Sequence, residues 1–497
     1  SLNSPIDGAK YAREDSLRII ASPSDSDGEI DRVEFYFDNE LLTTLSSEPW
    51  RKTIDIESYD KGYHSVYAIA HDNDGATAVT DTAEFEITEG DDDNVFPPRA
   101  MEKIDRGLVA VDRGEDVFIA WRLLGDEEKE LGFNIYRNDT KINSEPITDR
   151  TNYVDEQGSA DASYHVVPVV NGNETSPSET VEVWANNYLD IPLNRPAEGL
   201  QGGTYSPNDM SVGDLDGDEE YELIIKWYPS NAQDNSFEGY TDNTFLEAVE
   251  LDGTSLWRID LGKNIRSGAH YTQFMVYDLD SDGKAEVACR TSDGTTDGVG
   301  NVIGDPDADH RNSAGRILTG PEYLTIFDGE TGEAVKTVDY APARGNVSDW
   351  GDSYGNRCDR FLAAIAYVDG ERPSLITARG YYEKTMLVAW NYRGGELKKK
   401  WTFDSDDGNY AYAGQGAHSL AVGDVDNDGA DEIVYGASAI DDDGTGLYST
   451  GYGHGDALHL GDLDPDRKGL ECFMPHEDNV HGVSFRDAGT GEILWEY

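Results

Sequence analysis

Four segments place aspartates at alternate positions of a short loop with a glutamate shortly after. They are Asp214-Leu-Asp216-Gly-Asp218 with Glu222, Asp278-Leu-Asp280-Ser-Asp282 with Glu286, Asp424-Val-Asp426-Asn-Asp428 with Glu432, and Asp462-Leu-Asp464-Pro-Asp466 with Glu471. Carboxylates at positions 1, 3 and 5 of a tight loop turn their oxygens inward and a further carboxylate closes the shell, which is what a hard cation such as Ca²⁺ requires. An EF-hand would put its last Glu farther on and between helices. Here strand-like runs flank the loops, such as Met210-Ser211-Val212 before the first and Leu223-Ile224-Ile225 after it. The pattern predicts β-hairpins tipped by several structural Ca²⁺ ions, with these acids as the metal ligands.

A second repeat alternates with the first: Leu251-Asp252-Gly253-Thr254 with Trp257, Phe327-Asp328-Gly329-Glu330-Thr331-Gly332, Tyr392-Arg393-Gly394-Gly395 with Trp401, and Asp487-Ala488-Gly489-Thr490-Gly491 with Trp495. Two hairpins make a four-stranded blade, so the recurrence predicts an all-β, calcium-stabilised β-propeller over 186–497 with about five blades. The third blade, around Tyr367-Val368-Asp369-Gly370, lacks the calcium acids. Within a blade the first and third turns share one face. The calcium loops and the Gly turns therefore fall together, and the long insertions at 228–243, 263–271, 291–320, 341–360, 378–384, 407–417 and 449–457 gather on the opposite face, where binding and catalysis usually sit. His270, His418, His454 and His459 each precede an acid loop by three to eight residues, at the entry to an innermost strand. His459 is the one expected to be buried.

Upstream, residues 1–90 alternate apolar and polar in short runs (Val33-Glu34-Phe35-Tyr36-Phe37, Ser65-Val66-Tyr67-Ala68-Ile69) with turns at Asp25-Ser26-Asp27-Gly28 and Asp72-Asn73-Asp74-Gly75. They read as a sandwich of about seven strands, similar to Ig-like modules. Residues 91–98 form a charged, Pro-terminated linker, and 99–185 look like a fibronectin type III domain.

The net charge is -60, with Asp+Glu 99 against Lys+Arg 39 spread along the whole chain. Such a surface repels itself in dilute buffer and suits concentrated salt, which points to a halophilic protein and excludes nucleic acid and anionic membranes as partners. Three scattered cysteines give neither a disulfide framework nor a zinc site. No apolar run is long enough to span a membrane. Because free calcium is abundant outside cells, the loops argue for an extracellular, secreted protein whose leader has been removed, acting as a monomer.

Several strings in the second and third units resemble the rhamnogalacturonan lyases of polysaccharide lyase family 11. They are Arg99-Ala100-Met101-Glu102-Lys103-Ile104-Asp105-Arg106-Gly107, Trp121-Arg122-Leu123-Leu124-Gly125, Ser206-Pro207-Asn208-Asp209, Gly320-Pro321-Glu322-Tyr323-Leu324, Trp350-Gly351-Asp352-Ser353-Tyr354-Gly355-Asn356-Arg357, Arg379-Gly380-Tyr381-Tyr382 and Tyr452-Gly453-His454-Gly455-Asp456-Ala457. The resemblance implies an eight-bladed propeller, three blades of which would lie beyond Tyr497, and β-elimination on the rhamnose–galacturonate backbone of pectin. Tyr228 stands where the family pattern Lys-Trp-Asp-Pro-Ser-Asn has Asp.

Elimination removes the proton at C5 of a uronate and expels the group at C4, so the uronate carboxylate must be neutralised by a metal or Arg while a base takes the proton. The resemblance implies a Ca²⁺ at the active site held by His418 and His454, which alternatively bind sugar directly. Asn208 and Asn231 suit sugar hydroxyls, Arg379 suits the uronate, and Tyr381 or Tyr382 suits a pyranose face. No single base stands out; Arg344, Arg357 and Arg379 are the basic candidates. A reading from another class is an integrin-like calcium-binding propeller that binds a partner or carbohydrate without turnover.

Overall fold

The fold is that of a computed structural model of the 497-residue chain, which describes residues 2–5, 7–12, 16–23, 28, 30–47, 50–56, 58–73, 75–88, 99–125, 127, 131–477 and 480–497. The expected linker at 91–98, Asp74 and most of the turn at 25–28 lie outside the described residues. Among the described residues the regular elements are strands, apart from two single-turn 3-10 helices at Val347–Trp350 and Tyr410–Tyr412.

Among its described residues the N-terminal unit has nine strands rather than about seven, because strands as short as Leu2–Ser4 and Lys10–Ala12 leave no alternation to read. One sheet joins Leu2–Ser4, Ser16–Ala21 and Arg51–Asp55. The other is built around Ile30–Phe37 paired with Gly62–Asp72. Leu17 and Ile19 from the first sheet and Val33, Phe35, Val66, Ala68 and Phe85 from the second close a single core. Strand alternation puts those side chains inside and their neighbours outside.

Among its described residues the second unit carries eight strands from Val109–Asp112 to Val181–Trp184 around Trp121, Phe133, Ile135 and Tyr164. Its leading segment runs along the acid loops of the third unit: Asp105 N–H donates to Glu219 O at 2.8 Å, Ala100 N–H to Glu371 O at 2.7 Å, and Arg99 Nη1 to Asp431 Oδ1 at 2.9 Å.

From Tyr205 onward the chain forms five successive antiparallel meanders, each opening on an inner strand: Tyr205–Gly213, Phe274–Tyr277, Phe361–Ala366, Ala421–Gly423 and His459–Gly461. The inner strands lie next to one another in sequence order. Each has four strands; the first sheet is extended by Thr295–Thr296 and Val302–Ile303 from the long insertion. Cores fill the spaces between sheets, with Leu215, Ile224, Val276 and Val287 between the first and second and Ile376, Ala389, Ile433 and Ile440 between the third and fourth. Strands Glu286–Thr291 and Ser374–Arg379 are buried at every residue because both of their faces are covered. By contrast Met210 (57% exposed) and Val212 (41%) on the first inner strand have no sheet against them among the described residues.

The inner strands fix the placement of chemistry. Acid loops follow their C-terminal ends, whereas His270, His418 and His454 lie ahead of their N-terminal ends. At about 3.3 Å per residue the two sets are separated by on the order of 10 Å or more.

Candidate active site and cation sites

The carboxylate oxygens of Asp214, Asp216 and Asp218 converge within 4.8 Å of one another, as do those of Asp278, Asp280 and Asp282. In each of the first three loops the first Asp caps the turn: Asp214 Oδ1 accepts from Gly217 N–H at 2.7 Å, Asp278 Oδ1 from Asp282 N–H at 3.0 Å, and Asp424 Oδ1 from Asp428 N–H at 3.0 Å. The loop glutamates do something the spacing did not reveal. Glu222, Glu286 and Glu432 each accept one N–H from the second loop residue, at 2.7, 2.9 and 2.8 Å, and so fasten the loop backbone. Only Glu432 also joins the converging set, with Asp424 and Asp426.

Burial pushes the carboxyls of Glu222 to about 7, Glu286 to about 8 and Asp424 to about 7. Asp280 Oδ1, Asp426 Oδ1 and Glu432 Oε1 are buried without a hydrogen-bond donor, while Asp426 Oδ2 is ion-paired with Arg18 Nη1. Clustered, desolvated oxygens of this kind fit a hard divalent cation.

The fourth loop departs from expectation: Asp462, Asp464, Asp466 and Glu471 do not form such a cluster. Position 4 is left-handed in the other three, at Gly217 (φ 82°), Ser281 (65°) and Asn427 (62°). Position 6 is too, at Glu219 (75°), Gly283 (96°) and Gly429 (95°). Pro465 occupies position 4 here, and its ring holds φ near -65°. Glu471 instead accepts from Leu463 and Asp464 N–H at 3.1 and 3.0 Å and faces Arg467 Nε at 3.5 Å, so an arginine supplies the countercharge. A further buried cluster, Glu432 with Asp441 and Asp442, went unread because a run of acids carries no signal in so acidic a chain.

At the opposite end the imidazoles of His418 and His454 lie 5.0 Å apart between ring centres. Tyr381 stacks on His454 at 5.3 Å and Tyr382 packs on it at 4.4 Å. His454 Nδ1–H donates to Gly416 O at 2.6 Å, which leaves Nε2 as the lone-pair nitrogen, buried and without a partner. His418 Nε2 lies 3.0 Å from Tyr382 Oη and 3.8 Å from Asp456 Oδ1. Ligand atoms of His418, His454 and Asp456 fall within 4.8 Å of one another.

His270 adjoins this set, 5.3 Å from His418 between ring centres, with Nε2 at 3.6 Å from Asp234 Oδ2. Burial, with help from the Arg360 cation, lowers the His270 pKa to about 4. Burial lowers His418 and His454 as well, which favours the neutral imidazole in all three.

Three residues not singled out by spacing complete the site. Arg360 Nη1 is 3.3 Å from Asp234 Oδ2 and its guanidinium lies 5.6 Å over the Tyr382 ring. Lys226 is buried and pairs with the exposed carboxylate of Asp209. Asp456 is the exposed acid beside His418. Asn208 is exposed on the first inner strand, where the pairing register shifts between Pro207 and Met210.

Other expected residues lie elsewhere. Arg379 is fully buried: Nη1 and Nη2 donate to the two oxygens of Glu322 at 2.9 and 2.8 Å, and Nε donates to Cys358 O at 2.9 Å. Arg344 Nη2 also pairs with Glu322, at 2.9 Å. These two hold a buried carboxylate and do not reach a ligand. Arg357 is on the rim, paired with Glu383 at 2.5 Å. Asn231 spends both ends of its amide on Asp242, at 2.8 and 3.0 Å, and so braces a loop instead of offering itself to sugar. Tyr381 is fully buried, which removes it as a stacking platform and leaves half-exposed Tyr382. His459 is exposed rather than buried.

Residues 188–497 match the model of the C-terminal domain of rhamnogalacturonan lyase family 11, residues 99–184 that of the rhamnogalacturonan I lyase β-sheet domain, and residues 1–68 that of a bacterial Ig domain. Rhamnogalacturonan exolyase YesX of Bacillus subtilis (strain 168) is 60% identical over 404 residues, 80% of this chain and 66% of the relative. Rhamnogalacturonan endolyase YesW of the same strain is 61% identical over 404 residues, 80% and 65%. The chain thus spans just under two thirds of the length of these curated relatives. The crystal structure of YesX superposes with a TM-score of 0.77, covering 80% of this chain and 67% of that one. The Bacillus licheniformis rhamnogalacturonan lyase, 62% identical, does so with 0.76, covering 80% and 70%. With more than half of its length matched by the family's own C-terminal domain model, the chain belongs to rhamnogalacturonan lyase family 11.

Proposed function

We propose that this chain cleaves the rhamnogalacturonan I backbone of pectin by calcium-assisted β-elimination at galacturonate, outside the cell, and that its five meanders are consecutive blades of a β-propeller. The observation that carries the reading is the convergence of His418, His454 and Asp456, with the free Nε2 of His454 buried and Arg360 and Lys226 close by. A divalent cation held there would neutralise the uronate carboxylate and so ease loss of the neighbouring proton. The chain's own groups do the rest. Lys226 and Arg360, each paired with one aspartate, set positive charge beside the imidazoles in a chain that is otherwise strongly negative. Asn208 and Tyr382 offer an amide and a ring face to the sugars. A base takes the proton from C5, the electrons of the C5–H bond form the C4–C5 double bond and the C4–oxygen bond breaks, and the departing oxygen takes a proton from water to leave as a rhamnose hydroxyl. The clustered acid loops, at the other end of the inner strands, hold Ca²⁺ structurally and take no part in the reaction.

The test is the ultraviolet absorbance of the unsaturated uronate. Rhamnogalacturonan I with the full chain, Ca²⁺ and high salt is expected to show a steady rise, reduced on the order of a hundredfold in a His418→Ala/His454→Ala variant. A folded chain with no rise, or a variant with undiminished rate, would contradict the proposal.

A further inference from the structure

Two arginines of the N-terminal unit reach the acids of the fourth sheet. Arg18 lies on Ser16–Ala21 and Arg51 on the neighbouring Arg51–Asp55, whose register sets Arg51 opposite Ile20. Two-residue alternation therefore puts Arg18, Ile20 and Arg51 on one face of that sheet, opposite to core-facing Leu17 and Ile19. Ile20 is fully buried on this face, from which both arginines reach the fourth sheet.

Arg18 Nη1 forms an ion pair with Asp426 and lies 2.5 Å from Asp441 Oδ1. Arg51 Nη1 donates to Asp441 Oδ2 at 2.7 Å and Thr445 Oγ1 at 3.0 Å, and its Nη2 donates to Gly446 O at 2.9 Å. The acids they meet form two converging sets that share Glu432: Asp424 and Asp426 on one side, Asp441 and Asp442 on the other. Arg18 touches one member of each. Glu432 Oε1 and Asp442 Oδ1 are buried and accept no hydrogen bond. Among the described residues, the first two acid loops have no arginine or lysine paired with their aspartates.

We infer that Arg18 is a built-in countercation for the third acid loop, so that docking of the N-terminal unit and loading of this loop with a divalent cation exclude one another. The inference rests on the reading of the acid loops as cation sites. A cation ligated by Asp426 at roughly 2.4 Å would stand within a few ångströms of the guanidinium. Two positive charges that close, away from bulk water, repel strongly. The coupling is reciprocal: as much as docking weakens the cation, the cation weakens docking. Since this contact is at the acid-loop end, the N-terminal unit moves without uncovering or covering the histidine site.

The test titrates Ca²⁺ alone into chelator-stripped full chain at constant ionic strength. By calorimetry, Arg18→Gln is expected to bind at one site at least tenfold more tightly than the unmodified chain, with the other sites unchanged. In the unmodified chain, small-angle scattering should show the radius of gyration rising by a few ångströms as that weakest site fills, an outcome that needs no variant to fold. Identical isotherms for the two chains, or a constant radius through saturation, would overturn the competition while leaving the cation sites standing. No calcium binding to either chain would overturn both.

Discussion

Glu322 shows how strongly one buried residue depends on its partners. Burial alone would raise its carboxyl, but the Arg379 guanidinium, with Arg344 and Arg290, lowers it to about 2. An unfolded Glu titrates near 4.3, so this pairing stabilises the fold fully above that pH, and the contribution, about 3 kcal/mol, drains away as the pH falls toward about 2. Glu322→Gln should cost about 3–5 kcal/mol at neutral pH by leaving three cations around an uncharged amide. It should also flatten the acid limb of denaturant-measured stability between about pH 4.3 and 2; an unaltered acid limb would show that Glu322 is not the group that titrates. Ser281 offers a second test at this scale. Its φ of 65° suits Gly and forbids Pro, so Ser281→Gly should keep the calcium of its loop while Ser281→Pro, copying Pro465, should lose one bound ion by equilibrium dialysis.

At the scale of elements, the hairpins were legible because acid loops and Gly turns recur between short apolar runs, and each meander follows from that alternation. What was not legible depends on contacts between distant segments. Arg379 and Arg360 are the same residue type in neighbouring segments, yet one is consumed by Glu322, 57 residues away, while the other lies against Asp234 and Tyr382. Arg18 and Asp441 are separated by 423 residues. Of four histidines at similar offsets three converge, and His459, one residue into its strand, points out to solvent. Asp462–Glu471 kept the acid spacing but not the backbone that spacing needs. Removing Ca²⁺ with a chelator should therefore loosen the first two acid loops selectively, with hydrogen exchange accelerating around 214–222 and 278–286 and little changed at 424–432, where Arg18 takes the cation's place, or at 462–471. Equal acceleration in all four would contradict the distinction.

For the whole molecule, a net charge of -60 makes salt part of the fold. Screening shortens the Debye length from about 10 Å at 0.1 M to about 3 Å at 1 M, so Tm should rise between dilute and concentrated NaCl, and a flat profile would end the halophilic reading. The central claim concerns the division of labour between the two ends of the inner strands. The most direct measurement compares kcat on rhamnogalacturonan I and Tm for two variants of the calcium-loaded chain, His418→Ala/His454→Ala and Asp278→Ala/Asp280→Ala. The account predicts that the first loses kcat on the order of a hundredfold with Tm nearly unchanged, and that the second loses Tm with kcat nearly unchanged. The reverse pattern, catalysis lost with the aspartates and kept without the histidines, would contradict it.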